Sequence, residues 1–375
     1  MSAFYEGLGL KTTINAAATF TVLGGSLMSP EVLAAMNAAA GAYVNMHELH
    51  LAAGRRLAEA TGNEAAYVTS GCAAGIVLAV LAARNGGDPG RLPELPGHQH
   101  APHEVIMHAA HRIPYDRAVS LAGGTIRQIG DMLGTFAWEL ESAINANTAA
   151  VLYVVGAHMP QMALPLEEVV RIAHAAGIPV IVDAAAQLPP AGNLRRFSAE
   201  LGADAVIFSG GKALRGPQAS GLMVGREGFI EAVRQNGAPH QRWGRALKAG
   251  KEEIAGLLTA VERFVALDHE ALRRGWRQDV QVWHDGLAGM PGVRATIEEI
   301  NEAGQHVPRL HVAIDDPGRA AAVVGSFDDG NPRLAVYPQL AVGVTLGFWL
   351  TPDLLQPGQV PVVLERVRTA LETIG

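Results

Sequence analysis

The sequence predicts an α/β protein built on a mostly parallel sheet with helices on both faces. Three observations predict it. Seven short apolar, β-branched runs recur between residues 65 and 226. Amphipathic stretches separate most of them, and most of the runs are near-continuously apolar rather than alternating. A strand with one wet face alternates, whereas a strand covered on both faces does not, so these runs belong in a sheet buried between helical layers.

The first 45 residues hold one helix, "SPEVLAAMNAAAGAYV", with Ser29 as N-cap and Pro30 in the first turn. The seven strands follow at "AAYVTS" (65–70), "EVIMHA" (104–109), "TIRQIG" (125–130), "AVLYVVG" (150–156), "PVIVDAA" (179–185), "AVIFSG" (205–210) and "GLMVGR" (221–226). Between two of them, Leu166, Val169, Val170 and Ala173 repeat at i, i+3, i+4 and i+7, and Gly177 stops the helix. Residues 84–103 form a long Gly/Pro-rich connection, a size that is functional or disordered in most domains. Beyond residue 250 comes one long helix or two joined helices. A small α+β tail follows, with strands near 309–314, 333–338 and 344–348 and a last helix near 357–374. The expected division is an N-terminal segment (1–45) joining the small domain, a large ligand-binding domain (46–250), and a linking helix with the C-terminal small domain (251–375).

Composition narrows the partners. With 49% hydrophobic residues the chain can bury a large core, and a net charge of −7 without a basic run argues against nucleic acid. One cysteine, Cys72, permits no intramolecular disulfide and suits a reducing cytoplasm. The N-terminus has no signal-peptide pattern, and no apolar run reaches the roughly 18 residues of a membrane span.

The stretch "FSGGKALRGP" (208–217) sets Lys212 on a small-residue loop after a strand. It is not a nucleotide loop, because Ala213 follows the lysine where Ser or Thr is required. No G-x-G-x-x-G joins an early strand to a helix, so a dinucleotide fold has little support. His98, His100, His103, His108 and His111 crowd one region, without a cysteine or an H-E-x-x-H, and "HELH" (47–50) is one residue too short for a helical metal pair. The three in the long loop, His98, His100 and His103, are expected to be solvated rather than metal-bound, and His47 and His50 receive no role.

A covalent aldehyde cofactor, pyridoxal phosphate, accounts for more of the pattern. It needs a lysine for a Schiff base, a carboxylate at its pyridine nitrogen, a phosphate cradle at a helix N-terminus, and a flat group against its ring. Lys212 follows the strand "AVIFSG"; Asp183 ends "PVIVD", where a buried carboxylate asks for a cationic partner. "TSGCAAG" (69–75) turns a strand into a helix through small residues, with free amides and Ser70 for a phosphate. His111 follows "EVIMHA", in place to stack on a ring. Singly, each has a plainer reading: a solvated turn lysine, a helix-capping aspartate, a tight turn, a surface histidine. Together they fall on successive strand ends, where such sheets bind ligands.

The segments "INAAATFTVLGGSLMSPEVLAAM", "ELHLAAGRRLAEATGNEAAYVTSGCAAG", "VDAAAQLPPAGNLRRF", "GADAVIFSGGKALRGPQASGLMVGR" and "GRALKAGKEEIAGLLTA" resemble fold-type-I pyridoxal-phosphate enzymes. More narrowly, they resemble the branch of seryl-tRNA selenium transferase relatives that includes the D-glucosaminate-6-phosphate ammonia-lyases. The resemblance implies a seven-stranded large domain, a small α+β domain from both chain ends, and a homodimer or higher homo-oligomer. It implies Lys212 as Schiff-base lysine, Asp183 as pyridine-nitrogen partner and His111 as stacking group. Ser70, Gly71, Cys72 and Ser209 take cradle positions, and Gln187 reaches the phenolic oxygen. Departures stand at "AAATFT" (16–21), at "NMHELH" (45–50) and at Cys72, where alanine is usual. Arg215, Arg245, Lys248 and Lys251 read either as partners of an anionic substrate or a neighbour's cofactor phosphate, or as a solvated face. The implied activity is a lyase removing the β substituent, a hydroxyl, from an amino acid or amino sugar acid to give a 2-keto acid and ammonia. Aldolase, racemase and aminotransferase activities are alternatives, as is an idle cofactor-binding protein. An RNA-handling role is disfavoured by the acidic chain, which carries no added basic domain.

Overall fold

A computed structural model describes residues 3–88, 90–91, 102–131, 133–156 and 162–374. His98, His100 and much of the 84–103 connection lie outside the described residues. The chain opens with α1 (Ala3–Gly7), β1 (Thr13–Asn15), α2 (Pro30–Ala40) and α3 (Met46–Thr61). Next come β2 (Ala65–Thr69), α4 (Cys72–Asn85), β3 (Glu104–His108), α5 (Arg117–Leu121), β4 (Thr125–Ile129) and α6 (Ala137–Ala143). Then follow β5 (Thr148–Val154), α7 (Leu166–Ala175), β6 (Val180–Asp183), α8 (Asn193–Arg195), β7 (Ala205–Ser209), β8 (Gly221–Gly225), α9 (Glu227–Asn236) and α10 (Lys251–Ala266). The tail holds α11 (His269–Leu287), β9 (Val293–Glu298), β10 (Arg309–Ile314), α12 (Pro317–Ser326), β11 (Arg333–Ala335), β12 (Tyr337–Ala341), β13 (Val344–Leu350) and α13 (Gln359–Thr373).

The seven predicted strands form one sheet in the order β2-β8-β7-β6-β5-β3-β4. β8 runs antiparallel to both neighbours and the other pairs are parallel. β6 and β8 are buried at every residue, which is why they read as unbroken apolar runs. β4 buries only Ile129 and lies at the sheet edge. Two cores sandwich the sheet: Leu57, Val169, Val206 and Leu257 belong to one, Leu78, Val105, Ile181 and Val233 to the other.

The chain divides into two units, Ser26–Leu267 and Met1–Gly25 with Asp268–Gly375. The expected breaks at residues 45 and 250 are therefore displaced. α10 buries Ile254, Leu257, Val261 and Phe264 in the same core as Phe208 and Leu222, so it belongs to the large unit. α2 belongs there too, packed so close that a Cβ on Gly256 would stand 2.8 Å from the Met36 Cγ. The helical stretch after residue 250 is two helices, parted at Leu267–Asp268, where Asp268 accepts the Ala271 N–H at 2.9 Å.

In the small unit, β1 pairs in parallel with β11, and β12-β13-β10-β9 form an antiparallel sheet. The expected strand 333–338 is two: β11 pairs with the N-terminal strand and β12 with β13. β9 and α12 were not legible, since β9 has no fully buried residue and α12 is an alanine-rich helix of ten residues. Trp283 is fully buried among Val280, Leu310 and Phe348, and its Nε1 donates to the Val360 carbonyl at 3.0 Å. Trp283→Ala should cost this unit about 3–5 kcal/mol. Denaturant unfolding followed by near-UV circular dichroism measures it; a loss below about 1 kcal/mol would mean that the site collapses around the cavity.

Candidate active site

The C-terminal ends of β5, β6 and β7 and the N-terminus of α4 converge in the large unit. Asp183 closes β6 between Val154 of β5 and Ile207 of β7. It is buried, and its Oδ1 accepts the Ala185 N–H at 3.0 Å. Burial pushes this carboxyl up, while the Ala185 hydrogen bond and the Lys212 charge oppose the rise.

Lys212 lies half-buried in the turn after β7. The turn is held from three sides: Gly210 N–H donates to Ser220 O at 2.9 Å, Gly216 N–H to Gly210 O at 2.8 Å, and Arg215 N–H to Lys212 O at 2.9 Å. Ser26, which the sequence did not single out, places its hydroxyl 2.8 Å from Lys212 O and 3.0 Å from Gly211 O, while its N–H donates to Gly211 O. Its only sequence signal is the "GGS" turn ahead of α2.

Cys72 opens α4, and its thiol hydrogen-bonds Ser209 at the end of β7. Burial pushes that thiol up, the Asp183 charge adds to the rise, and Lys212 and Ser209 counter it. Cys72, Asp183 and the stretch Ser209–Lys212, three separate segments, thus share one electrostatic neighbourhood. Gly71 precedes the helix with φ of 90°, a conformation that suits glycine, and no side chain among the described residues caps this N-terminus. Its first N–H groups therefore point out of the helix without intrahelical acceptors. Thr69 steadies the turn by donating to Gly71 O at 2.9 Å. The Ser70 hydroxyl donates to Leu247 O at 2.8 Å, tying the turn to the loop before α10.

His111 ends a short 3₁₀ turn after β3 and is buried. Its Nδ1 accepts the Val154 N–H at 3.3 Å, so the ring proton sits on Nε2. Burial holds the imidazole down at about 4, which leaves a flat, uncharged ring at neutral pH. Gln187 is buried in the turn after β6, where its Nε2 donates to Ala186 O at 3.2 Å and its backbone carbonyl accepts from Asn193 Nδ2 at 2.7 Å.

Of the four cations, Lys251 is committed elsewhere: its Nζ donates to Ala39 O and pairs with Glu252, both at 2.6 Å. Arg245 and Lys248 are exposed on the loop that Ser70 grips, and Arg215 is half-buried. His50 is buried against Tyr67 (4.8 Å, 14°) and pushed down to about 4 by burial, while His47 meets His240 edge-on at 4.7 Å. Among the described residues no group of three or more His, Cys, Asp or Glu is arranged to hold a metal ion.

The residues present fit pyridoxal phosphate. A buried carboxyl, whose charge needs a cationic partner, suits a protonated ring nitrogen, an uncapped helix N-terminus suits a phosphate, and a neutral imidazole suits an aromatic face. Fold and site together define a fold-type-I pyridoxal-phosphate enzyme. The chain belongs to the L-seryl-tRNA selenium transferase family, whose model matches residues 13–274.

It is 36% identical to the D-glucosaminate-6-phosphate ammonia lyase of Salmonella typhimurium, over 98% of both chains. A solved D-glucosaminate-6-phosphate ammonia-lyase superposes with a TM-score of 0.86 at 34% identity, covering 100% of this chain and 99% of the other. The 5'-C-glycyluridine monooxygenase-decarboxylase of a Streptomyces species is also 36% identical, over 85% of this chain and 80% of that protein. A serine palmitoyltransferase solved with pyridoxal phosphate has a TM-score of 0.61 at 19% identity, over 97% of this chain and 88% of the other, a likeness of fold alone.

Proposed function

We propose that this chain is a pyridoxal-phosphate-dependent ammonia-lyase that acts on an anionic β-hydroxy amino acid, of the amino sugar acid class, and releases a 2-keto acid. The observation that carries the reading is the whole-length likeness to an ammonia lyase, with Lys212, Asp183, Ser209 and Cys72 gathered at one site. Aldol cleavage, racemisation and transamination rank behind it because the relative matched end to end is a lyase. A catalytically idle protein would have no use for a buried Asp183 within reach of the Lys212 charge.

Lys212 would hold the cofactor covalently, and the bound group would supply an electron-withdrawing ring for the electron pair left at the substrate's Cα. Lys212, once free, removes the Cα proton with its Nζ. Asp183 would hold a proton on the pyridine nitrogen, and His111 would stack on the ring. Ser70, Gly71, Cys72 and Ser209 would surround the phosphate, and the amides at the head of α4 would donate to it. Gln187 serves the phenolic oxygen. The β hydroxyl departs as water; the released enamine tautomerises and takes up water, which gives the 2-keto acid and ammonia with no oxidant or reductant.

Arg245 and Lys248 attract the substrate's anionic group, supported by their exposure on the loop bound to Ser70. The working form in this reading is a cytoplasmic homodimer or higher homo-oligomer. It is supported by the single cysteine and by Leu33, Tyr43, Val44 and Trp243, which the large unit leaves exposed. No helix among the described residues is long and apolar enough to cross a membrane.

The test supplies the purified protein with pyridoxal phosphate and offers β-hydroxy amino acids and amino sugar acids, each with and without a phosphate group. Ammonia and 2-keto acid should appear in equal amounts, over many turnovers, without a keto-acid acceptor, and fastest on the phosphorylated amino sugar acid. A single turnover that restarts only with an acceptor would make the protein an aminotransferase. Aldehyde without ammonia would make it an aldolase.

A further inference from the structure

Behind His111 stand two rings with no part in the reaction above. His108 ends β3, fully buried, and neither of its ring nitrogens has a hydrogen-bond partner among the described residues. Its centroid lies 4.9 Å from that of His111, with the planes tilted by 55°. Tyr153, on the neighbouring strand β5, meets His111 edge-on at 4.4 Å and 80°, and meets His108 edge-on at 5.7 Å and 81°. The phenol is itself anchored, its hydroxyl donating to Leu164 O at 3.0 Å. Each of the three rings thus touches the other two.

The arrangement leaves His111 little freedom. One edge is engaged by the Val154 N–H, and two aromatic neighbours flank the ring. Edge-to-face and tilted contacts are directional, so a rotated or flipped imidazole would forfeit them. Two desolvated ring nitrogens on His108 are costly, and the contacts that His108 makes here are those of its ring with His111 and Tyr153.

We propose that His108 and Tyr153 are positioning residues that clamp His111 in one orientation and one tautomer, ready as a flat, uncharged stacking surface. This rests on His111 being the group that stacks on the cofactor. The clamp also keeps water from the imidazole, and burial is what holds its pKa low.

Nitrogen NMR of histidine-labelled apoprotein reads the clamp directly, and binding of pyridoxal phosphate with its visible circular dichroism reads the consequence. In the wild type, His111 should stay a single Nε2–H tautomer across about pH 5 to 8. His108→Ala opens space beside the ring, so His111 should titrate nearer its ordinary value of about 6.5 and populate both tautomers. Affinity for pyridoxal phosphate should fall about three- to tenfold. Tyr153→Leu should act in the same direction. His108→Phe, which keeps the ring and discards its nitrogens, should preserve the tautomer, the affinity and the visible dichroism. The clamp is overturned if His108→Ala leaves His111 as one low-pKa tautomer, or if His108→Phe disrupts it as much as His108→Ala does. His111→Ala separates the two ideas: unchanged affinity and dichroism there would remove the stacking role alone, with the NMR result still deciding the clamp.

Discussion

Lys212→Ala is expected to give a folded protein that borohydride can no longer fix to pyridoxal phosphate. The wild type should be yellow and, after reduction, should carry the cofactor on the peptide containing Lys212. Turnover should fall on the order of 10⁴-fold or more, since one nitrogen serves as both covalent anchor and proton carrier. Stability of the apoprotein should hardly change. The turn is secured by the Ser26 hydroxyl and N–H and by the Ser220 and Gly216 backbone contacts rather than by the lysine side chain, which is half-buried. Peptide mapping of the reduced protein and a thermal melt of the variant check both halves. A colourless wild type that pyridoxal phosphate cannot reconstitute would remove the cofactor, and with it the lyase.

Asp183→Asn should separate catalysis from folding. The amide cannot keep the pyridine nitrogen protonated, so turnover should drop by several orders of magnitude, each factor of ten being about 1.4 kcal/mol of barrier. Cofactor binding should weaken far less, because the anchor and the cradle remain. The apoprotein should move the other way. Burial raises the Asp183 pKa in the folded state, so its contribution favours folding below the unfolded value of about 3.9 and is lost as pH rises through the folded value. Asparagine still accepts the Ala185 N–H and carries no charge to desolvate, so at pH 7 the apo-variant should melt at or above the wild type. Calorimetry of both apoproteins at pH 4 and pH 7 tests the sign. Near-normal turnover in Asp183→Asn would reassign the residue to structure.

Much of the candidate site was legible because the demands of the proposed cofactor fall on strand ends, and strand ends can be read. "PVIVD" and "AVIFSGGK" announce themselves by an apolar run that stops at a charged or small residue. Cys72 and Ser209 came only through family resemblance, and the structure joins them by a hydrogen bond. Ser26 and Tyr153 escaped, and Thr69 and His108 were read without the contacts they make. Ser26 acts through the carbonyls of Gly211 and Lys212, a contact spanning more than 180 residues that no local pattern encodes. Tyr153 sits inside an apolar strand, where it reads as ordinary core.

The order and type of the sheet elements were settled along the chain, because a strand buried on both faces and a helix buried on one leave periodicities within a single window of residues. The sheet order β2-β8-β7-β6-β5-β3-β4 and the reversal of β8 were not. Nor was the end of the large unit, which extends to Leu267 because the apolar face of α10 shares a core with β7 and β8. Folding likewise decided the electrostatics. An aspartate in a sequence has an ordinary pKa; Asp183 acquires a raised one when β5, β6 and β7 exclude water around it. Periodicity is a property of neighbours in the chain, whereas burial and the charges that survive it belong to neighbours in space.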